Sequence, residues 1–307
     1  MIHGFENSDD AAVYQLDDGN YLLNTVDFFT PIHKNPYIFG QIAAANAVSD
    51  IFAVGGTVLN CLNILAFPES FSEAAITDML RGATDKVQEA GGVIVGGHSM
   101  TMDQVIYGLS VNGLVTKEKL KTNSDAKLKQ HIILTKKIGT GIYSNLINEA
   151  PEREDCIEVI DSMTYLNKTA SEVSHQFSVS ALTDVTGFGL LGHLSEVMKA
   201  SKLSANLYFD QVPLFAQTKE LCISHANGGM KRNYKHFGDQ IIFNDNTDTI
   251  MHKNILFDPQ TSGGLLIFVD ADDSEALLAA LHQKGVKEAS VIGETVPFQN
   301  TLVKVYR

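Results

Sequence analysis

The chain has 307 residues, 44% of them hydrophobic and 19% charged, with a formal net charge of −13. That length allows two ordinary α/β domains, each with its own core, and the acidic balance excludes nonspecific binding to nucleic acid or anionic membrane, which needs a basic footprint. No apolar run reaches the roughly 18–20 residues of a membrane span, residues 1–30 lack a signal-peptide pattern, and the three cysteines, Cys61, Cys156 and Cys222, are widely spaced. The expectation is a reduced, cytoplasmic protein whose cysteines are ordinary core thiols, not a disulfide framework or a zinc site.

In chain order, residues 11–16 and 21–28 read as two strands joined by the turn Asp17-Asp-Gly-Asn20. Alternation in the second strand puts Leu23, Thr25 and Asp27 on one side and Leu22, Val26 and Phe28 on the other. Pro31 and Pro36 mark a loop before Gln41-Ile-Ala-Ala-Ala-Asn-Ala-Val-Ser-Asp50, a helix of small residues that allows close backbone approach. Asn46 and Asp50 share one face of it, and Gly55-Gly56 stop it. Asp50 lies where the helix dipole disfavours negative charge, so a cation is expected to compensate it. A strand follows over 58–67, then an amphipathic helix with Ser70 and Glu73 at capping-box spacing, ending at Gly91-Gly92. Val93-Ile-Val-Gly-Gly-His98 reads as a short buried strand running into a glycine turn whose N–H groups could cradle phosphate. Residues 107–115 form a further strand.

The lysine-rich stretch 117–130 is a solvated connector and the expected boundary between domains 1–118 and 119–307. The second half reads as a strand at 131–135, the turn Gly139-Thr-Gly141, a helical region to about 177, the acidic motif at Asp184, and a helix carrying Leu190, Leu191, Leu194 and Val197. Then come a strand at 205–209, a loop containing Gly228-Gly229, and Asp258-Pro-Gln-Thr-Ser-Gly-Gly264, which feeds a fully buried strand, 265–269. A helix over 273–284 and strands at 289–293 and 301–306 close the chain. Gly187-Phe-Gly-Leu-Leu-Gly192 matches the dinucleotide fingerprint G-x-G-x-x-G. The preceding residues show no sustained buried strand, however, and Asp184 stands where pyrophosphate would sit.

The chemistry-bearing residues are carboxylates. Asp10 in Ser8-Asp-Asp-Ala-Ala-Val13, Asp27 in Thr25-Val-Asp-Phe-Phe29, Asp50, and Asp184 in Thr183-Asp-Val-Thr-Gly-Phe-Gly189 all abut apolar or small residues without an adjacent Lys or Arg. Buried carboxylates without counter-charge cost several kcal/mol each. A hard divalent cation such as Mg²⁺, which takes oxygen ligands and keeps positions open for phosphate, is the common remedy. No Walker P-loop and no protein-kinase signature set occurs.

These motifs, with Asn46-Ala-Val-Ser-Asp50, Val95-Gly-Gly-His-Ser99 and Asp258–Leu266, resemble the selenophosphate synthetase (selenide, water dikinase) family, and the resemblance runs over essentially the whole chain. It implies an α/β (α+β), two-domain, aminoimidazole-ribonucleotide-synthetase-like fold. It also implies a homodimer whose N-terminal domains join strands into a β-barrel, and conversion of ATP, selenide and water to selenophosphate, AMP and orthophosphate. By resemblance Asp10, Asp50 and Asp184 are Mg²⁺ ligands, and Asp27, Asp50, Gly96, Gly97 and His98 face the nucleotide; a carboxylate such as Asp27 is the candidate catalytic group, orienting the water of the step from ADP to AMP. The family's upstream glycine-rich segment, with its Cys or selenocysteine and its Lys, has no counterpart here. The expectation is a trimmed chain, or a frame opened at an internal methionine, that binds Mg-nucleotide with little selenophosphate formation. The alternatives are a sister enzyme acting as a thiamine-phosphate kinase or purine synthetase, and a noncatalytic nucleotide-binding paralogue.

Overall fold

A computed structural model describes residues 4, 8–16, 19–244, 247 and 249–307. Strands β1 (Ala12–Gln15) and β2 (Asn20–Phe29) form the expected antiparallel hairpin; its expected turn includes Asp17 and Asp18, which lie outside the described residues. With β3 (Thr57–Phe67), β4 (Val93–Thr101) and β5 (Ile106–Thr116) they make a five-stranded sheet in the order β1-β2-β5-β3-β4. All its pairs are antiparallel except β3–β4. A parallel pair needs a crossover, and helix α2 (Glu73–Ala90) supplies it. Its N-cap is Ser72, which accepts from the Ala75 N–H, and not the expected Ser70.

Helix α1 (Pro36–Ala53) starts about two turns before the alanine run, because Asn35 caps it and Pro36 fits a first-turn position whose N–H needs no partner. It is buried nearly all round, as a helix hydrophobic on every side must be. Most of it packs with the first sheet, while Ile42 joins the core of the second half and Ala53 packs with the strands of the second sheet. Small residues permit this: a Cβ on Gly40 would stand 2.0 Å from the Met79 carbonyl, and one on Gly82 2.1 Å from that of Tyr37, so α1 and α2 touch backbone to backbone.

The second sheet has seven strands in the order β7-β10-β6-β11-β8-β12-β9: β6 (Gln130–Leu134), β7 (Val179–Asp184), β8 (Leu203–Tyr208), β9 (Ile241–Phe243), β10 (Leu265–Asp270), β11 (Ser290–Pro297) and β12 (Val303–Tyr306). Strand β10 is buried on both faces through Val269, as its unbroken apolar run required. Three expectations are corrected. Residues 179–184 are a buried strand after all, but β7 pairs antiparallel with β10, so the glycines after it do not open a parallel dinucleotide unit. The stretch around Gly228-Gly229 is not a loop but helix α8 (Gly228–Phe237), started by the Asn227 cap between α7 (Thr218–Ser224) and α9 (Ile250–Leu256); the cap outweighs the poor propensity of two glycines. Finally, Gly96 and Gly97 are no turn. Strand β4 runs through them at φ of +154° and +153°, backbone that only glycine adopts readily, and the strand is an exposed edge, not a buried one. The remaining helices are α3 (Thr140–Glu149), α4 (Glu154–Thr164), α5 (Lys168–Ser174), α6 (Gly189–Ser201) and α10 (Ala271–Gln283).

Candidate active site

The two acids of the first motif have different jobs. Asp9 Oδ1 accepts from the Asn123 N–H (2.8 Å), and the Asn123 side chain donates to the Ser8 carbonyl (2.6 Å), which pins the segment to the start of the second half. Asp10 points elsewhere. Its Oδ1 accepts from the Thr183 hydroxyl (3.1 Å), while its shielded Oδ2 has no hydrogen-bond partner. Alternation on β2 turns Thr25 and Asp27 towards α1, where the Thr25 hydroxyl donates to Asp50 (2.5 Å) and the Asn46 amide nitrogen donates to Asp27 Oδ2 (2.8 Å). Asp184 ends β7, is 1% exposed, and neither of its oxygens has a well-formed hydrogen bond, although the Ser49 hydroxyl lies close enough to favour its charged form.

Four acids remote in sequence thus form one electrostatic cluster. Burial is the largest cause of every shift: it pushes Asp27 up to about 7, Asp184 up to about 6, and Asp10 and Asp50 well above the usual carboxylate range. The Asp184 charge is the next cause at each of the other three, and Asp27 and Asp10 add to the strain on Asp50. None of the four makes a salt bridge with a described residue. No described cation compensates Asp50 in the way expected; the buried Lys136 acts on Asp184 instead. Among the described residues no three His, Cys, Asp or Glu side chains are already gathered tightly enough to hold a metal by themselves. The donor set nevertheless fits a hard cation: all four are carboxylates, and three shielded oxygens, one on Asp10 and two on Asp184, lack a well-formed hydrogen bond.

Gly96, Gly97 and His98 stand apart from this cluster. Register places Asp27, Leu109, Asn63 and Gly97 in one row across β2, β5, β3 and β4, so Gly97 is three strand spacings, about 14 Å, from Asp27. Asn63 links the row, donating to the Gly96 carbonyl (3.3 Å) and accepting from the Tyr107 hydroxyl (2.7 Å). Asp258 is a clasp, not a ligand. It accepts from the N–H groups of Gly141 and Ile142 and from the side chains of Asn227 and Gln260.

Residues that sequence reasoning passed over include Glu196, whose charge raises Asp10 and whose own carboxyl burial pushes up to about 7. His193 lies 3.5 Å from it and is held neutral by burial, which lowers it to about 4. Their i, i+3 spacing on the helix that follows the Asp184 motif was the available signal. All three cysteines are free and buried.

A family model described as AIR synthase related protein, N-terminal domain, matches residues 8–115, and one described as the C-terminal domain of the same proteins matches residues 89–305. The selenide, water dikinase of Agathobacter rectalis is 43% identical over 296 residues, covering 95% of this chain and 85% of that one. That of Clostridioides difficile is 40% identical over 299 residues, covering 97% and 86%. A solved thiamine monophosphate kinase from Aquifex aeolicus superposes with a TM-score of 0.71 over 96% of this chain and 90% of that one, at 16% identity. The likeness bears out the expected two-domain, AIR synthase-like fold.

Proposed function

We propose, from the premise that the chain belongs to the selenide, water dikinase family of AIR synthase related proteins, that it converts ATP, selenide and water to selenophosphate, AMP and orthophosphate. The observation that carries this reading is the convergence of Asp10, Asp27, Asp50 and Asp184 into one mutually repelling group, with Asp50 and Asp184 buried, Asp10 and Asp27 half-buried, and oxygens of Asp10 and Asp184 lacking a well-formed hydrogen bond. Asp10, Asp50 and Asp184 are the residues that would hold magnesium, which supplies positive charge against a polyphosphate. Asp27 acts on water. Asn46 occupies its Oδ2, which leaves Oδ1 to accept a proton from the attacking water. Asp50 and the edge residues Gly96, Gly97 and His98 face the nucleotide. Phosphorus NMR of ATP with selenide tests the reading: a selenophosphate signal with AMP and orthophosphate supports it, and conversion that stops at ADP overturns it.

The protein works as a cytoplasmic homodimer, with the domains divided at 118/119. Free, buried thiols agree with a reducing compartment, and among the described residues no helix is long and apolar enough to cross a membrane. What supports a dimer is the outer face of the first sheet, where Val26, Phe28, Leu59, Leu62, Val95 and Met100 are all at least 41% exposed. A contiguous apolar face of this kind marks an interaction surface, and two such sheets facing each other would form a barrel. Across its middle the Asn24 amide donates to Asn112, whose own amide donates to Asn60 (2.8 Å), a polar ladder that would fix register. Phe28→Glu is expected to halve the mass measured by light scattering; an unchanged mass, or a monomeric native chain, would count against the dimer.

A further inference from the structure

Lys136, just after β6, is 5% exposed. Its ammonium donates to three backbone carbonyls, those of Ser162 (3.0 Å) and Tyr165 (2.6 Å) at the end of α4 and that of Ser262 (2.8 Å) in the loop before β10. Burial lowers this amine to about 7, but three carbonyl acceptors suit only the protonated form, whose three N–H groups and lack of an acceptor they satisfy completely. The loop it grips is tightly set. Ser262 has φ of +48°, a conformation that L residues keep only when their surroundings impose it. A Cβ on Gly263 would stand 2.0 Å from the Val185 carbonyl oxygen, and one on Gly264 2.5 Å from the backbone nitrogen of Lys136.

The loop reaches across the molecule. The Ser262 N–H donates to Asn46 Oδ1 (2.8 Å), and Nδ2 of the same amide donates to Asp27 Oδ2 (2.8 Å). Both ends of the Asn46 side chain are therefore committed, one to the loop of the second half and one to the acid of the first. We infer that Lys136 is a positioning residue: by fixing Ser262 it orients the Asn46 amide, and through it the Asp27 carboxylate on the opposite sheet. The inference rests on the reading of Asp27 as the acid that handles water.

Native-state amide exchange on the whole chain reads the first link without any turnover. Lys136→Met is expected to speed exchange at Ser262 by about 10-fold or more while the β10 core amides stay as slow as before; a Ser262 amide as protected as in the native chain overturns the inference. Steady-state kinetics read the second link. Here kcat should fall by roughly 10–100-fold, the cost of a misplaced reacting group, with KM for ATP changed less than about threefold. Asn46→Ala should cost much less on the Lys136→Met background than alone, because the two act in series; independent, multiplying losses overturn it. Lys137→Met, which removes an ion pair to Glu158 and Glu288 outside this relay, should leave both readouts at native values. If Lys136→Met does not fold, Lys136→Gln, which keeps two N–H donors, is read by the same criteria. A native chain that shows no magnesium-dependent ATP binding would defeat the functional reading, whereas exchange at Ser262 would still decide the clamp.

Discussion

Replacing Asp50 by asparagine is expected to abolish magnesium-dependent nucleotide binding while raising the melting temperature of the metal-free chain. Asp50 is buried, and burial together with the charges of Asp184, Asp27 and Asp10 makes its ionised form unfavourable. Asparagine keeps the shape and an oxygen for the Thr25 hydroxyl, and it removes the repulsion. Each kcal/mol relieved should raise the melting temperature by about 2–4 °C. The sign can be checked with pH. The carboxyl titrates higher in the folded chain than the roughly 3.9 of an unfolded one, so the stability that protonation contributes is complete below about pH 4 and is lost as pH rises through the folded value. The advantage of Asp50→Asn should therefore be larger at pH 8 than at pH 5, measured in chelator. Binding should move the other way, falling by at least about 100-fold, since even the residues behind a metal ligand cost about 10–100-fold. Calorimetry showing nearly native, magnesium-dependent affinity, or a variant that melts lower in chelator, would refute the assignment.

Asp258→Ala should be the most damaging single change to stability. One carboxyl group satisfies four donors, two of them fully buried: two N–H groups in the first turn of α3, the Asn227 amide that also caps α8, and Gln260, whose own oxygen accepts from Gly139 and Thr140. Truncation leaves the two α3 N–H groups and the Asn227 amide without this acceptor, while Gln260 keeps the Asp258 backbone carbonyl. Each buried donor left without an acceptor costs about 1–3 kcal/mol, so a loss of about 3–5 kcal/mol and a melting temperature lower by roughly 6–20 °C are expected. A loss below about 1 kcal/mol in denaturant titration would show that the clasp is not what holds α3, α8 and the 258–264 loop together.

Features governed by local rules were legible in the amino-acid order. Side-chain alternation placed Asp27 on the same side of its strand as Leu23, small residues marked α1 as a helix others could approach, and an unbroken apolar run identified β10 as buried on both faces. Motif identity carried the family, and with it the fold. Tertiary structure decided the partners. Asp9 and Asp10 are adjacent and alike in composition, yet Asp9 is tied to Asn123 while an oxygen of Asp10 is left bare beside Asp184. The acidic, glycine-rich stretch at 258–264 resembled the site motifs but is a structural clasp, and Gly96-Gly97 continues an edge strand instead of turning. Lys136 was one lysine among many until folding brought it under Ser262, 126 positions away. The physical reason is that periodicity and propensity act over a few residues, whereas the state of a buried charge depends on which donors the fold carries to it from more than a hundred residues along the chain.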